Sequence, residues 1–257
     1  MRSLDRAWRV FGTGVSFATF GLGGALLGLI IFPLLRLLVR DPARLMRLSR
    51  DIIRHTFRFF IWEMSTLGVL SYEIHGAQRL LRPGLLVLAN HPTLIDAIFL
   101  IALMPQVDCV VKSTLATNFF TAGPIRAAGY VSNDQGMALL TDSLESLKRG
   151  NTLIIFPEGT RTPRSGTHEL QRGAANIAVR GPIDVTPVLI RCEPLTLGKG
   201  EKWYNVPERR AHFVIDVRDD VQVKPFLEAA SEPLAARRLT AWLKTFFEQQ
   251  GSHRGAA

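Results

Sequence analysis

Leu85-Leu86-Val87-Leu88-Ala89-Asn90-His91-Pro92-Thr93-Leu94-Ile95-Asp96 runs a short apolar strand pattern into a histidine and, five residues later, a carboxylate. A second segment repeats the layout: Thr152-Leu153-Ile154-Ile155 leads into Phe156-Pro157-Glu158-Gly159-Thr160-Arg161. Short, continuous apolar runs bounded by turn residues read as buried strands. In open α/β sheets, ligands sit outside the carboxyl ends of the strands. Two polar clusters, each at the end of a candidate strand, therefore mark a candidate site.

The surrounding sequence agrees. From about Ser71 short β-rich runs alternate with helical ones. Strand candidates are Ser71 to His75, Gly84 to Leu88, Asp108 to Val111, Thr152 to Phe156, Val185 to Ile190 and His212 to Asp216. Helical patterns fall near Thr93 to Leu103, Gly136 to Lys148 and Gly173 to Val179, and Pro233 to Phe247 reads as a closing helix. Such alternation predicts βαβ units, hence an α/β fold with a mostly parallel sheet flanked by helices. Residues 66–257 are expected to form this domain and residues 1–65 an N-terminal membrane-anchoring segment with a basic amphipathic helix.

The N-terminal part carries that second expectation. Val10 to Leu35 is 26 residues without a charge, longer than the ~20 residues a helix needs to cross the hydrocarbon core. Arg2, Arg6 and Arg9 precede it, as in a signal peptide, but the run is too long and no small-residue cleavage site follows. Its six glycines and Pro33 suit either close helix packing or a bent hairpin dipping into one leaflet. Both arrangements stay open at this point. Arg40, Arg44, Arg47, Arg50, Arg54 and Arg58 follow at steps of three and four, which puts them on one helical stripe. Asp41-Pro42 is a natural start for that helix. A basic amphipathic helix beside an apolar anchor reads as lying among anionic headgroups. The competing reading has solvated arginines and an apolar face packed on the catalytic core.

Net charge is +9, which asks for an acidic partner. Nucleic acid is set aside because no recognised binding motif accompanies the charge and the arginines adjoin an apolar anchor. Cys109 and Cys192 lie far apart with no metal-ligand spacing, so neither a disulfide framework nor a zinc site is indicated. Reduced cytoplasmic thiols are the simpler reading.

A carboxylate on a histidine's Nδ1–H fixes the tautomer and leaves Nε2 to take a proton from a hydroxyl. Pro92 suits the first position of a helix, which would set His91 just outside its N-terminus and Asp96 in its second turn. Alone, that pair is more often a satisfied helix-start histidine than a base. The second cluster changes the balance: Gly159 lets backbone approach a ligand, Arg161 offers a planar fork for a phosphate, and Glu158 can accept from a hydroxyl. The sequence has no Gly-x-Ser-x-Gly elbow and no cysteine near His91, so the nucleophile is a substrate hydroxyl.

His91-x4-Asp96 with Phe156-Pro-Glu-Gly-Thr-Arg161 resembles the glycerolipid acyltransferase family, which includes the lysophosphatidic acid acyltransferases. The resemblance covers about residues 70 to 195. It implies His91 as base, Asp96 as its orienting partner, and Glu158, Gly159, Thr160 and Arg161 as acceptor-binding residues. Lys112 stands where the family carries a basic residue, and Val185-Thr186-Pro187-Val188 resembles the block thought to shape the acyl-donor pocket. The implied reaction moves a fatty acyl group from an acyl-CoA or acyl-carrier-protein thioester to a lysophospholipid hydroxyl, giving phosphatidic acid from 1-acylglycerol 3-phosphate. No metal or redox cofactor is implied, and the expected location is a bacterial inner membrane with the catalytic domain on its cytoplasmic face. One departure stands out. The family's intermediate block ends in an arginine for the acceptor phosphate, whereas Gly129-Tyr130-Val131-Ser132-Asn133-Asp134-Gln135 has none. Arg126 or the arginine stripe is the candidate substitute. Failing those, the acceptor is another lysolipid, an amino-acid lipid or a specialised acyl product. A non-catalytic membrane-surface scaffold is the alternative from another class.

Overall fold

The computed structural model describes residues 2–111, 113–132, 137–163 and 169–251. Its first element is one long helical rod, α1 (Arg2–Leu26) and α2 (Phe32–Leu38) joined by a π-helical turn, Leu27–Ile31. Pro33 lacks the N–H that an α-helix would direct to Leu29, and the helix widens just before it. Leu4–Leu38, 35 residues, is long and apolar enough to cross a membrane. After a tight turn α3 (Pro42–Thr66) begins as expected at Asp41, whose carboxylate caps the N–H groups of Ala43 and Arg44.

Then come β1 (Leu70–His75), a 3-10 turn, β2 (Leu86–Ala89), α4 (Asp96–Leu103), β3 (Val107–Val111), α5 (Ser113–Thr117), α6 (Ala122–Ala128), β4 (Val131–Ser132) and α7 (Met137–Lys148). The chain continues through β5 (Thr152–Ile155), α8 (Gly173–Arg180), β6 (Val185–Glu193), β7 (Ala211–Val217), α9 (Lys224–Glu228) and α10 (Glu232–Gly251). The described strands form one sheet in the order β1-β7-β6-β2-β5-β3-β4. Every neighbouring pair is parallel except β6 with β7. The expected α/β class holds, with a mixed, mostly parallel sheet.

Side chains alternate between the two faces of each strand, and each face has its own core. Val87, Ala89, Ile154, Val188 and Ile190 pack with α3 and α4 on one face. Leu86, Leu88, Leu153 and Val185 pack with α8 and α10 on the other. The first cluster also takes in Phe32, Ile53, Phe60, Ile61 and Met64 from the N-terminal helices, so residues 1–65 and the sheet share apolar packing. Rings of α1 meet α3 edge-to-face at Phe17–Phe60 and stacked at Phe20–Phe57.

The arginine stripe is used differently from the expectation. Arg50 is buried: its Nε donates to the Ala128 carbonyl at 2.9 Å and its Nη2 lies 3.3 Å from Asp108. Arg54 is half-buried against the Ala102 carbonyl, while Arg44, Arg47 and Arg58 are exposed. The apolar side of α3 faces the sheet and α4, and the middle of the stripe turns with it, where the buried Asp108 supplies a counter-charge. A buried charge without such a partner costs several kcal/mol, on the order of 3–5 when a pair is broken.

Candidate active site

β2 lies between β5 and β6 with Leu88 opposite Ile155 and Ala89 opposite Val188. Because β2 and β5 are adjacent and parallel, the turns that follow them emerge at the same edge. That juxtaposition brings His91 and the Glu158 segment together across 67 residues of sequence.

The His91 turn is pinned on all sides. Asn90 exchanges two hydrogen bonds with the backbone of Ile190: its Nδ2 donates to the carbonyl at 2.8 Å and its Oδ1 accepts from the N–H at 2.7 Å. The His91 N–H donates to Glu158 Oε1 at 3.0 Å, and the His91 carbonyl accepts from the Thr162 N–H at 2.7 Å. The imidazole stacks on Phe156 with ring centroids 4.2 Å apart. Its Nδ1 lies 2.9 Å from Asp96 Oδ2.

Asp96 is fully buried and amply bonded. It accepts from the Thr93 N–H at 2.7 Å and the Thr93 hydroxyl at 2.5 Å as well as from His91. An ionised carboxylate only accepts, so opposite it His91 Nδ1 carries the proton and Nε2 is left as an acceptor. Helix α4 begins at Asp96 rather than at Pro92, a correction with a clear cause. The Asp96 side chain turns back onto Thr93, as the acidic half of a capping box does, and Pro92 to Ile95 form a turn instead of a first helical turn.

Glu158 is 7% exposed. Its oxygens accept from His91 N–H and from the Thr162 hydroxyl, at 3.0 and 2.8 Å. Where the resemblance implies acceptor binding, the structure shows this carboxylate holding the His91 turn. Gly159 is exposed with φ +66, a left-handed conformation that glycine adopts without strain. Thr160 is half-buried beside it. Arg161 Nη1 donates to the carbonyls of Leu197 and Gly198 at 3.0 and 2.8 Å. Leu197 also accepts from the Leu94 N–H at 3.0 Å, so one loop is tied to both turns.

Lys112, and Asn133 to Gln135 of the intermediate block, lie outside the described residues. Arg126 is exposed on α6, a helix packed against α3 and the N-terminal rod; no described hydrogen bond or ion pair joins it to the His91 turn. Val185 and Val188 are core residues, and the Thr186 hydroxyl is bonded to Asp220.

Asn90, Thr93, Phe156 and Thr162 were not singled out from sequence. Thr93 had a signal, since Thr-x-x-Asp ahead of an apolar run is a capping-box pattern. The other three had none that a single chain displays. Cys192 is buried in the field of Asp96, and burial first of all pushes its thiol up to about 12. A thiol so held is protonated at neutral pH and is no nucleophile.

Residues 71–191 match the model of the family described as Acyltransferase. The chain carries an acyltransferase domain. The resemblance read from the two motif blocks is thereby borne out. Two curated relatives agree. A 1-acyl-sn-glycerol-3-phosphate acyltransferase of Pseudomonas aeruginosa is 25% identical over 145 residues, covering 54% of this chain and 56% of that protein. A putative 1-acyl-sn-glycerol-3-phosphate acyltransferase of Caenorhabditis elegans is 32% identical over 162 residues, 58% of this chain and 54% of that protein. The chain spans about half the length of the curated relatives it matches. In three dimensions it resembles the crystal structure of the 1-acyl-sn-glycerophosphate (LPA) acyltransferase PlsC from Thermotoga maritima. That match has a TM-score of 0.68 at 20% identity and covers 100% of both chains, which shows that the acyltransferase domain and its N-terminal helices share that fold.

Proposed function

We propose that this chain is an O-acyltransferase moving a fatty acyl group from an acyl-CoA or acyl-carrier-protein thioester to the hydroxyl of a lysophospholipid. The relatives' names make 1-acylglycerol 3-phosphate the first acceptor to try, with phosphatidic acid as product. The observation that carries the reading is the His91–Asp96 pair, held at 2.9 Å with the carboxylate wholly buried.

His91 Nε2 takes the acceptor's hydroxyl proton as its oxygen bonds to the thioester carbonyl carbon. The resulting tetrahedral adduct collapses, breaking the carbon–sulfur bond, and the departing thiolate takes the proton back from Nε2–H. Asp96 stays ionised and stabilises the imidazolium between the two steps, without itself taking a proton. General-base catalysis of this kind contributes about 10²–10⁴ in rate. No metal or redox group enters the scheme. Arg161, with Nη1 donating to the Leu197 and Gly198 carbonyls, is the guanidinium proposed to meet an acceptor phosphate. The absence of arginine from Gly129 to Gln135 favours a second reading, the same chemistry on another lysolipid or an amino-acid lipid.

The location proposed is a membrane surface, specifically the cytoplasmic face of a bacterial inner membrane. The apolar rod Leu4–Leu38 supports a membrane, and free Cys109 and Cys192 suit a reducing compartment. The rod lies with one side on α3 and the catalytic core, which fits a helix lying in one leaflet better than one surrounded by lipid.

The test uses the full chain in detergent with a long-chain acyl thioester and 1-acylglycerol 3-phosphate, following thiol release and product lipid, with His91→Ala in parallel. Turnover that the variant loses is expected. Thioester-dependent transfer unchanged in His91→Ala would overturn the proposal, and competing acceptors would rank the two readings.

A further inference from the structure

The rod Leu4–Leu38 has one side without protein cover. Leu4, Trp8, Phe11, Leu22, Leu26 and Leu29 are all exposed, and their three- and four-residue steps or sums of them put them on one helical face. Beside that face runs a flank of Gly14, Gly21 and Gly28, seven residues apart, which keeps them nearly in line. Tips of catalytic-domain loops pack on this flank. The Trp203 indole lies 3.3 Å from where a Cβ of Gly14 would stand, the Phe120 ring 3.8 Å from that of Gly21, and Gly123 closes on Gly28.

Two of these tips are aromatic and open to solvent. Trp203 and Tyr204 are 45% and 44% exposed with ring centroids 5.5 Å apart; Phe119 and Phe120 are 66% and 45% exposed at 5.2 Å. Four large rings beside an exposed apolar helix face make a continuous surface that water alone covers poorly. Trp and Tyr, each an apolar body with a polar tip, favour the headgroup level of a bilayer. Lys202 stands over the Tyr204 ring, its ammonium 5.5 Å from the centroid, and the chain's charge of +9 favours anionic headgroups.

We propose that Phe119–Phe120 and Trp203–Tyr204 are a second lipid contact, through which the catalytic domain itself, and not only its N-terminal helix, enters a leaflet containing anionic lipid. The inference rests on the membrane reading above and extends it to two loops. The Trp203 loop then links lipid to the reaction turn. At one end the Leu197 carbonyl accepts from Leu94 N–H and Arg161. At the other, the carbonyls of Val206, Pro207 and Glu208 accept from Arg6 and Arg9 of α1. An acceptor lipid reaching His91 along that loop has no need to leave the leaflet.

The test compares two full-length single-tryptophan proteins on vesicles of equal parts phosphatidylcholine and phosphatidylglycerol carrying brominated acyl chains. In one, Trp8, Trp62 and Trp242 are changed to Phe, leaving Trp203; in the other Trp62, Trp203 and Trp242 are changed, leaving Trp8. Quenching of both emissions is expected, strongest from bromines near the headgroups for Trp203. Quenching of Trp8 with Trp203 untouched would overturn the loop contact while leaving the membrane reading standing; no quenching of either would remove both. Shielding of Trp203 that instead follows protein concentration without vesicles would assign the patch to a second copy and also overturn the proposal. In otherwise native protein, Trp203→Ser with Tyr204→Ser should weaken vesicle partitioning about tenfold, with unchanged circular dichroism as the folding control.

Discussion

The turns after β2 and β5 sit side by side at one sheet edge, yet their polar atoms are spent differently. In the first, the fixed parts of His91 are bonded (backbone N–H, carbonyl and Nδ1) and Nε2 has no hydrogen-bond partner among the described residues. In the second, Glu158 binds His91 and Thr162, and Arg161 Nη1 binds two carbonyls. One turn presents an atom; the other holds it still. Residues of two such sequence blocks can thus divide into one that leaves an atom unbonded and others that hold its turn in place.

That division can be broken by substitution. His91→Ala should lower acyl transfer by about 10²–10⁴ and, because it takes one of three donors from the buried Asp96, should also cost about 1–3 kcal/mol of stability; activity that recovered when the variant was assayed well below its melting temperature would erase the distinction between the turns. Asp96→Asn keeps the shape but offers an amide where Nδ1–H needs an acceptor, and a drop of about 10³–10⁴ in kcat is expected from the wrong tautomer. Glu158→Gln keeps an oxygen for His91 N–H. It should therefore cost much less than Glu158→Ala, which leaves a part-buried N–H unpaired, at about 1 kcal/mol of stability or more. If Glu158→Gln instead raised KM for the acceptor with kcat intact, Glu158 would belong with the substrate-binding residues after all. Thermal melts and kcat against KM for the pair read the difference.

The smallest effect sets the baseline away from both turns. The Arg82 guanidinium, bonded to Asp220 in two places at 2.7 and 3.0 Å, holds that carboxyl below its usual range. A carboxylate with a lowered folded-state pKa stabilises the protein above its unfolded value near 3.8 and loses that contribution as pH falls through the folded value. Arg82 is about half exposed and Asp220 half-buried, so solvent screens the pair, and Asp220→Asn should cost about 1 kcal/mol at neutral pH and nothing in strong acid. Melting curves across that range check it.

What was legible in the chain was what local pattern dictates. Leu85 to Leu88 and Thr152 to Ile155, short apolar runs bounded by turn residues, read as buried strands, Asp41-Pro42 suits a helix start, and His91 and Asp96 are close enough in sequence to meet. Long-range pairing was not legible. Arg50 looks like any other member of its stripe until Asp108, 58 residues on, is placed beside it. Asn90 reveals nothing of Ile190, nor Thr162 of the His91 carbonyl, because a neighbouring strand decides both. The start of α4 was misplaced for a related reason: Pro92 permits a helix there, but Asp96 gains more by folding back onto Thr93 and His91. The glycines of α1 suit close packing or a bent hairpin alike from sequence; the structure sets Trp203 against Gly14 and Phe120 against Gly21.

The mechanism needs one tautomer: a proton on His91 Nδ1, facing Asp96, with Nε2 bare. Nitrogen NMR of the full chain carrying ¹⁵N-labelled histidine, with the His91 signals assigned by their loss in His91→Asn, reads it directly at neutral pH. A protonated Nδ1 and an unprotonated Nε2 are expected for His91, with loss of that preference in Asp96→Asn. A proton residing on Nε2 in the unaltered protein would contradict it.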